Sequence, residues 1–266
     1  MNFKLITKKI RLDIIKMLYQ SKASHLGSSL SVVETLVGMF SSVNIAKIKS
    51  RNINRDRIII SKGHCAAGYN ATMHSFGLLS KKQMESYHKN NSYLAGHASH
   101  SVKFVEHSTG ALGHGLGVAV GCAIGLKSKK NKKSLVLCLC GDGELQEGSI
   151  WESLLLASHK KLDNLVILID YNRLSNITFT NKVVNIEPLT RKFKSFNLNV
   201  SYVDGHNSLK IINEIKRKKF KKKPLVIICK TIKGKGVKFA ENNQIWNYRS
   251  LDKKHYEIAK KNIMEN

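Results

Sequence analysis

The run Leu135-Val136-Leu137-Cys138-Leu139-Cys140 constrains the fold more than any other stretch of the 266 residues. It is short, continuous and uncharged, the pattern of a strand buried on both faces of a parallel sheet that helices cover on either side. Gly141-Asp142-Gly143 follows at once. Two glycines let the backbone turn sharply and approach a ligand, and the aspartate stands just past the carboxyl end of a strand, where open α/β sheets bind ligands. Glu144 to His159 then reads as a helix, and Leu165 to Ile169 as a second apolar strand that ends in Asp170-Tyr171-Asn172-Arg173-Leu174. Asp142 and Asn172 are therefore expected to project from neighbouring strand ends into one crevice, a geometry that suits a hard cation. Mg2+ takes oxygen ligands in near-octahedral geometry and is usually held by one or two protein oxygens plus substrate phosphates. A carboxylate, an amide oxygen and one backbone carbonyl would leave room for two phosphate oxygens and a water. The positive end of the helix after Gly143 would add attraction for a diphosphate. Alone, the three residues also fit an ordinary turn; the pair of buried strands with an asparagine after the second is the more specific signal.

Strands are also expected at Arg57 to Ile60, Leu198 to Val203 and Leu225 to Cys229. Helical spacing marks Lys4 to Gln20, an apolar segment through Phe40, Val118 to Leu126, Leu209 to Lys219 and Leu251 to Met264. The β-α-β order calls for an α/β fold with a mostly parallel central sheet and helices on both faces, in one domain over residues 1–266. Polar groups recur at strand ends: Ser61-Lys62-Gly63-His64 follows the first strand, so His64 is expected in the same crevice. His25 lies in a small polar loop, Ser24 to Ser31, where a serine could simply cap the next helix. The glycine-rich Thr109 to Gly117 lacks the preceding strand and later acidic residue of a dinucleotide fingerprint, and Ala119, Gly121, Ala123 and Gly125 suit close helix packing. His97 and His100 have no third ligand at zinc spacing.

The net charge of +27 raises the question of nucleic acid. The excess is lysine scattered along the chain, with clusters at Lys127–Lys133 and Lys216–Lys223 where loops or helix ends belong, and no RNA-binding or zinc-finger pattern accompanies it. No nucleic-acid partner is expected. Five cysteines without a C-x-x-C suggest reduced thiols. No cleavable leader pattern and no run of membrane-spanning length are present, so a cytoplasmic protein without membrane association is expected.

Gly141-Asp142-Gly143-Glu144-Leu145-Gln146-Glu147-Gly148-Ser149-Ile150-Trp151-Glu152, followed by Tyr171-Asn172-Arg173-Leu174, resembles the thiamine diphosphate site of transketolases. The resemblance extends in order over essentially the whole chain and implies the thiamine-diphosphate-binding fold, with thiamine diphosphate and Mg2+ as cofactors and Ca2+ or Mn2+ able to substitute. It implies Asp142, Asn172 and the Leu174 carbonyl as metal ligands. His25, His64 and His97 match the family's histidines that face sugar hydroxyls or the cofactor, and Glu147 matches a carboxylate that joins two active sites across the dimer. Ser28, Lys62, Gly110, Leu112, Gly143 and Lys233 match cofactor-site positions, and His64 and Asn172 count among these as well. The implied reaction moves a two-carbon ketol unit between sugar phosphates; the cofactor carries the chemistry and histidines carry the protons.

There are departures. The family's Trp-His-Gly is Trp246-Asn247-Tyr248 here, and the prolines expected after His25 and His97 are Leu26 and Ala98. An amide cannot carry a proton at neutral pH, so an unusual sugar or a reduced activity is expected. The family's pyrimidine-binding domain is not matched within the chain, so the resemblance implies a split enzyme whose C-terminal subunit brings that domain, in an assembly of two copies of each. Two other readings stand beside it: the α subunit of a thiamine-dependent 2-oxoacid dehydrogenase, and a non-catalytic binding subunit. The segments SHLGSSLS, SKGHC and GALGHG favour transketolase over the first.

Overall fold

The computed structural model describes residues 2–131, 133–217 and 222–265. Five parallel strands, β1 (Arg57–Ile60), β2 (Val136–Gly141), β3 (Leu165–Tyr171), β4 (Asn199–Asp204) and β5 (Leu225–Lys230), form one sheet in the order β1-β2-β3-β5-β4. β2 is buried along its whole length, and β3 up to Asp170. Their side chains alternate between two apolar layers. Leu137, Leu139, Val166 and Leu168 join one with Ile10, Ile14 and Leu36, while Val136, Cys138, Ile167 and Ile169 join the other with Leu116, Ile150 and Phe193. Two helical layers with a sheet between them are thus built from strands that need apolar residues at every position. β4 lies at an edge and is only partly buried, which agrees with its more polar sequence.

The Phe3–Ser21 helix buries Ile10, Ile14 and Met17, with Ile6 half-buried beside them, and Asn2 caps it by accepting from the Leu5 amide at 3.2 Å. The segment expected as a loop and one helix through Phe40 is helical from Leu26 and divided at Val32 into Leu26–Ser31 and Val33–Ser41. The glycine-rich helix spans His114–Ser128, four residues earlier than apolar spacing alone predicts. The helix expected from Leu209 is Ser208–Ile215, and Lys219 lies outside the described residues, as do Lys132 and residues 218–221 of the two lysine clusters. All five cysteines are free thiols, and among the described residues no helix is long and apolar enough to cross a membrane.

One difference bears on the site. Glu144 does not begin an α-helix: Gly143–Gln146 form a 3-10 turn, Glu147 is extended, and the α-helix runs from Gly148 to His159. The helix end therefore starts five residues beyond Gly143, not directly behind it. The cause is Glu144 itself, whose carboxylate turns inward, while the Trp151 indole donates to the Leu145 carbonyl at 2.8 Å and pins the junction.

Candidate active site

β2 and β3 are paired in parallel, with Gly141 opposite Asp170, so the segments after them emerge side by side. A cleft of about 200 Å³ opens there, lined among others by Lys62, His64, Leu112, Asp142, Asn172 and Lys233. Asp142 is 3% exposed, and its carboxylate accepts from the backbone amides of Gly143 (2.8 Å) and Arg173. Among the described residues no cationic side chain touches it. Burial, and then the nearby Asp170 charge, push its pKa up to about 6. Arg173 takes the left-handed conformation, φ 63°, which turns its amide toward Asp142 and carries the Leu174 carbonyl to the cleft.

Asn172 donates through Nδ2 to Asp170 Oδ2 at 2.9 Å, and its Oδ1 accepts from the Leu174 amide at 3.0 Å. The Lys233 ammonium donates to the carbonyls of Leu174 (3.1 Å) and Ser175 (3.2 Å). Burial and the Lys62 charge lower its pKa to about 8. The loop carrying Lys233 is held from behind. Arg11 Nε donates to the Lys235 carbonyl at 3.0 Å, the Ile232 amide donates to His206 Nε2 at 2.8 Å, and Gly234 donates to the Gly27 carbonyl at 2.9 Å. Arg11 and His206 both bind Glu34, and against the upward push of burial they hold its carboxyl down to about 2.

Lys62 is directed differently from a free phosphate ligand. Its ammonium is 2% exposed with the whole side chain, pairs with the fully buried Asp170, and donates to Ser31 Oγ at 3.3 Å. Burial opposes the pairing, yet the pair holds the lysine pKa up and that of Asp170 down.

The three expected histidines come together from three segments. The ring of His25 lies 5.5 Å from that of His97 and 6.0 Å from that of His64. His25 is itself left-handed, φ 70°, with its amide donating to the Asn247 carbonyl at 3.1 Å. Ser28 Oγ is shared between the carbonyls of His25 (3.1 Å) and His64 (3.0 Å), so it ties the two segments together. Burial followed by the positive charges of its neighbours lowers His25 to about 4, and His64 is depressed strongly for the same reasons. All three histidines are thus neutral at neutral pH, His97 through burial alone. His100 stands apart from them and bonds Ser108 at 2.5 Å.

Leu112 lines the cleft, whereas Gly110 is exposed with open space at its α-carbon. Glu147 is exposed at the cleft edge. Asn247 is 1% exposed; its Nδ2 donates to Asn176, a cleft residue, and its Oδ1 is buried without a partner.

Glu144, Asp170 and Asn176 are structural members of the site that spacing did not single out. Glu144 accepts from the Gly113 amide (2.7 Å), the Gly141 amide (3.1 Å) and the Ser61 hydroxyl, which staples the glycine-rich loop to the turn after β2. Burial raises its pKa. The available signal for Asp170 was an acidic residue closing an otherwise apolar strand; its partner Lys62 is more than a hundred residues away in sequence.

Oxygen donors and lysines gathered at the carboxyl ends of adjacent parallel strands define a phosphate-binding α/β protein. The sequence matches the family model described as transketolase, thiamine diphosphate binding domain, over residues 3–263. It is 34% identical over 262 residues to a subunit of apulose-4-phosphate transketolase from Phocaeicola vulgatus, covering 97% of this chain and 92% of that one. The protein of the same name from Actinobacillus succinogenes is 37% identical over 255 residues, with 95% and 92% covered. The crystal structure of transketolase from Campylobacter jejuni superposes with a TM-score of 0.88 at 26% identity over 99% of this chain, which spans 43% of that longer one. The chain belongs to the transketolase family, as its N-terminal thiamine diphosphate-binding domain.

Proposed function

We propose that this chain is the diphosphate-binding subunit of a two-chain transketolase that moves a two-carbon ketol unit between sugar phosphates. Asp142, the side-chain oxygen of Asn172 and the carbonyl of Leu174 hold Mg2+ in it. The observation that carries the reading is that Asp142, Asn172 and Leu174 line one cleft at the carboxyl ends of β2 and β3. The donor set fits the ion: a buried carboxylate that, among the described residues, accepts only from backbone amides, an amide and a carbonyl are what Mg2+ accepts alongside phosphate. The Leu174 carbonyl already faces a positive group, the Lys233 ammonium.

Lys233, Gly143, Gly110 and Leu112 then border the cofactor, and Lys62 supplies positive potential from behind. When bound, thiamine diphosphate supplies the nucleophilic carbon and the electron sink for breaking a ketose carbon-carbon bond. His25 and His97, kept neutral, accept protons from sugar hydroxyls and return them, a task for which a base must be uncharged at working pH, while His64 lies against the cofactor and substrate. Asn247 donates its amide hydrogens but cannot relay a proton, so the sugar shell differs chemically from one with a histidine at that position. Residues 1–266 act as one diphosphate- and Mg2+-binding domain. A second polypeptide carries the pyrimidine-binding domain, with two copies of each chain and Glu147 at the junction. The support for a split enzyme is that two relatives of nearly this length are named as subunits of a transketolase. Their names also favour a ketose phosphate such as apulose-4-phosphate as substrate.

Calorimetric titration with thiamine diphosphate is expected to show binding that requires Mg2+ and is lost in Asp142→Ala. Ketol transfer is expected only once the C-terminal transketolase polypeptide is supplied. Metal-independent binding would overturn the site, transfer by the isolated chain would overturn the split enzyme, and turnover of 2-oxoacids in place of ketoses would replace the reaction. Asn247→His is expected to raise transfer from ordinary ketose phosphates.

A further inference from the structure

Among the described residues the Asp170 side chain has four partners, of which Lys62 and Asn172 line the cleft. Its Oδ2 accepts from Lys62 Nζ, from Ser31 Oγ at 2.8 Å and from Asn172 Nδ2 at 2.9 Å, while its Oδ1 accepts from Thr231 Oγ1. These groups come from the segment after β1, the end of the Leu26–Ser31 helix, the segment after β3 and the residue after β5. The side chain is fully buried. A charged carboxylate in that position survives only when paired and hydrogen-bonded, and Lys62 meets the first condition.

An asparagine side chain can present either its oxygen or its nitrogen to a given direction, because rotating the amide by half a turn exchanges the two. Only one of these orientations can ligate a cation. A carboxylate is an acceptor and has nothing to donate, so Asn172 can offer it only Nδ2. Rotated, Oδ1 would face Asp170 oxygen to oxygen, and Nδ2 would face the Leu174 amide donor to donor.

We propose that Asp170 is a positioning residue of the cation site, which holds the Asn172 amide with its oxygen turned away from the carboxylate and toward the ion, and that Lys62 acts through Asp170 as its counter-ion. This rests on the reading that Asp142, Asn172 and Leu174 bind the metal. It differs from the role that resemblance implies for Lys62, because the lysine is engaged with Asp170 and Ser31 and its effect reaches the ligand set through them. Thr231 and Ser31 share the carboxylate but leave the amide orientation untouched, so they separate positioning from general support.

The test measures Mn2+ binding by electron paramagnetic resonance in the presence of thiamine diphosphate. Asp170→Asn is expected to weaken Mn2+ tenfold or more, because the substituted amide no longer excludes an oxygen facing it and the Leu174 amide is left alone to hold the orientation of Asn172. Thr231→Val, which removes one bond to the same carboxylate, is expected to stay within about twofold of wild type. The exchanged pair Asp170→Asn with Asn172→Asp restores a donor facing an acceptor with polarity reversed, and is expected to bind Mn2+ more tightly than Asp170→Asn alone. Equal losses in Asp170→Asn and Thr231→Val, or no recovery in the exchanged pair, would overturn the proposal. Should Asp170→Asn fail to fold, hydrogen exchange of the Asn172 side-chain amide in the wild-type chain decides: slow exchange supports the orientation, and exchange as fast as in exposed asparagines refutes it. Failure of the metal reading itself would show separately, as Mn2+ binding in wild type no tighter than in Asp142→Ala; the amide exchange then still judges the orientation.

Discussion

Asp142 is expected to be a liability to the protein that carries it, and Asp142→Asn exposes the cost. Its carboxyl is pushed from the ordinary 3.8 up to about 6 by burial and then by Asp170. At about 1.4 kcal/mol per pH unit, ionising it inside the fold costs about 3 kcal/mol relative to ionising it in the unfolded chain. The sign follows from proton counting. Between the two values the folded state binds more protons than the unfolded state, so the contribution to stability is present in full below about 4 and is lost as the pH rises through 6. Asparagine removes that dependence. It also surrenders one acceptor, since the carboxylate serves both the Gly143 and Arg173 amides, at a cost of about 1–3 kcal/mol that does not vary with pH. Urea unfolding of both proteins in a chelator, from pH 4 to pH 8, is expected to show the variant gaining about 3 kcal/mol on wild type across the range. Titrating groups remote from Asp142 are common to the two chains and cancel; Lys233 and Lys62, whose pKa values the Asp142 charge raises, are the neighbours that do not. A difference that stays flat within about 1 kcal/mol would refute the reasoning. Addition of Mg2+ with thiamine diphosphate at pH 8 is expected to raise the melting temperature of wild type and leave that of the variant unchanged.

Glu144→Ala leaves the Gly113 and Gly141 amides without acceptors in a buried place, and is expected to cost about 3–5 kcal/mol in denaturant unfolding; a loss below about 1 kcal/mol would mean that the staple is relaxed. Gly113 has φ 83°, and a methyl group there would come within 2.5 Å of Ser149 Oγ and 2.8 Å of Glu147 Cβ. Gly113→Ala is therefore expected to destabilise by about 2 kcal/mol or more and to weaken cofactor binding through Leu112, with calorimetric titration as the check. The His25 ring is expected to titrate near pH 4 in an NMR titration, so that it is neutral throughout the physiological range. Because its folded value lies below the ordinary one, the unfolded state binds the proton first, and stability from this group is lost as the pH falls from about 6.5 toward 4.

The apolar runs of β2 and β3, and the glycines and asparagine that follow them, made the parallel sheet and its crevice legible in the sequence. A strand buried on both faces admits few charged residues, so the pattern has little ambiguity. The histidines at 25, 64 and 97 were legible as candidates, each at the end of a strand or in a loop. That the His25 ring lies within 6.0 Å of both others was not, because it depends on three segments far apart in sequence. Helix limits were least legible near the site. Glu144 suits a helix start by its type, yet the energy of satisfying two buried amides and a hydroxyl turns it inward and delays the helix to Gly148. Local propensity is worth a fraction of a kcal/mol, and three buried hydrogen bonds outweigh it.

The sequence by itself determined the layered α/β architecture and which residue types stand at the strand ends, since both follow from local patterns of burial and backbone freedom. Only the tertiary structure decided how the charges are paired: Lys62 with Asp170, Arg11 with Glu34, Lys233 with two carbonyls, Asp142 with no cation among the described residues. Pairing in a low-dielectric interior is set by distance, and distance across a sheet is fixed by the fold, not by separation along the chain.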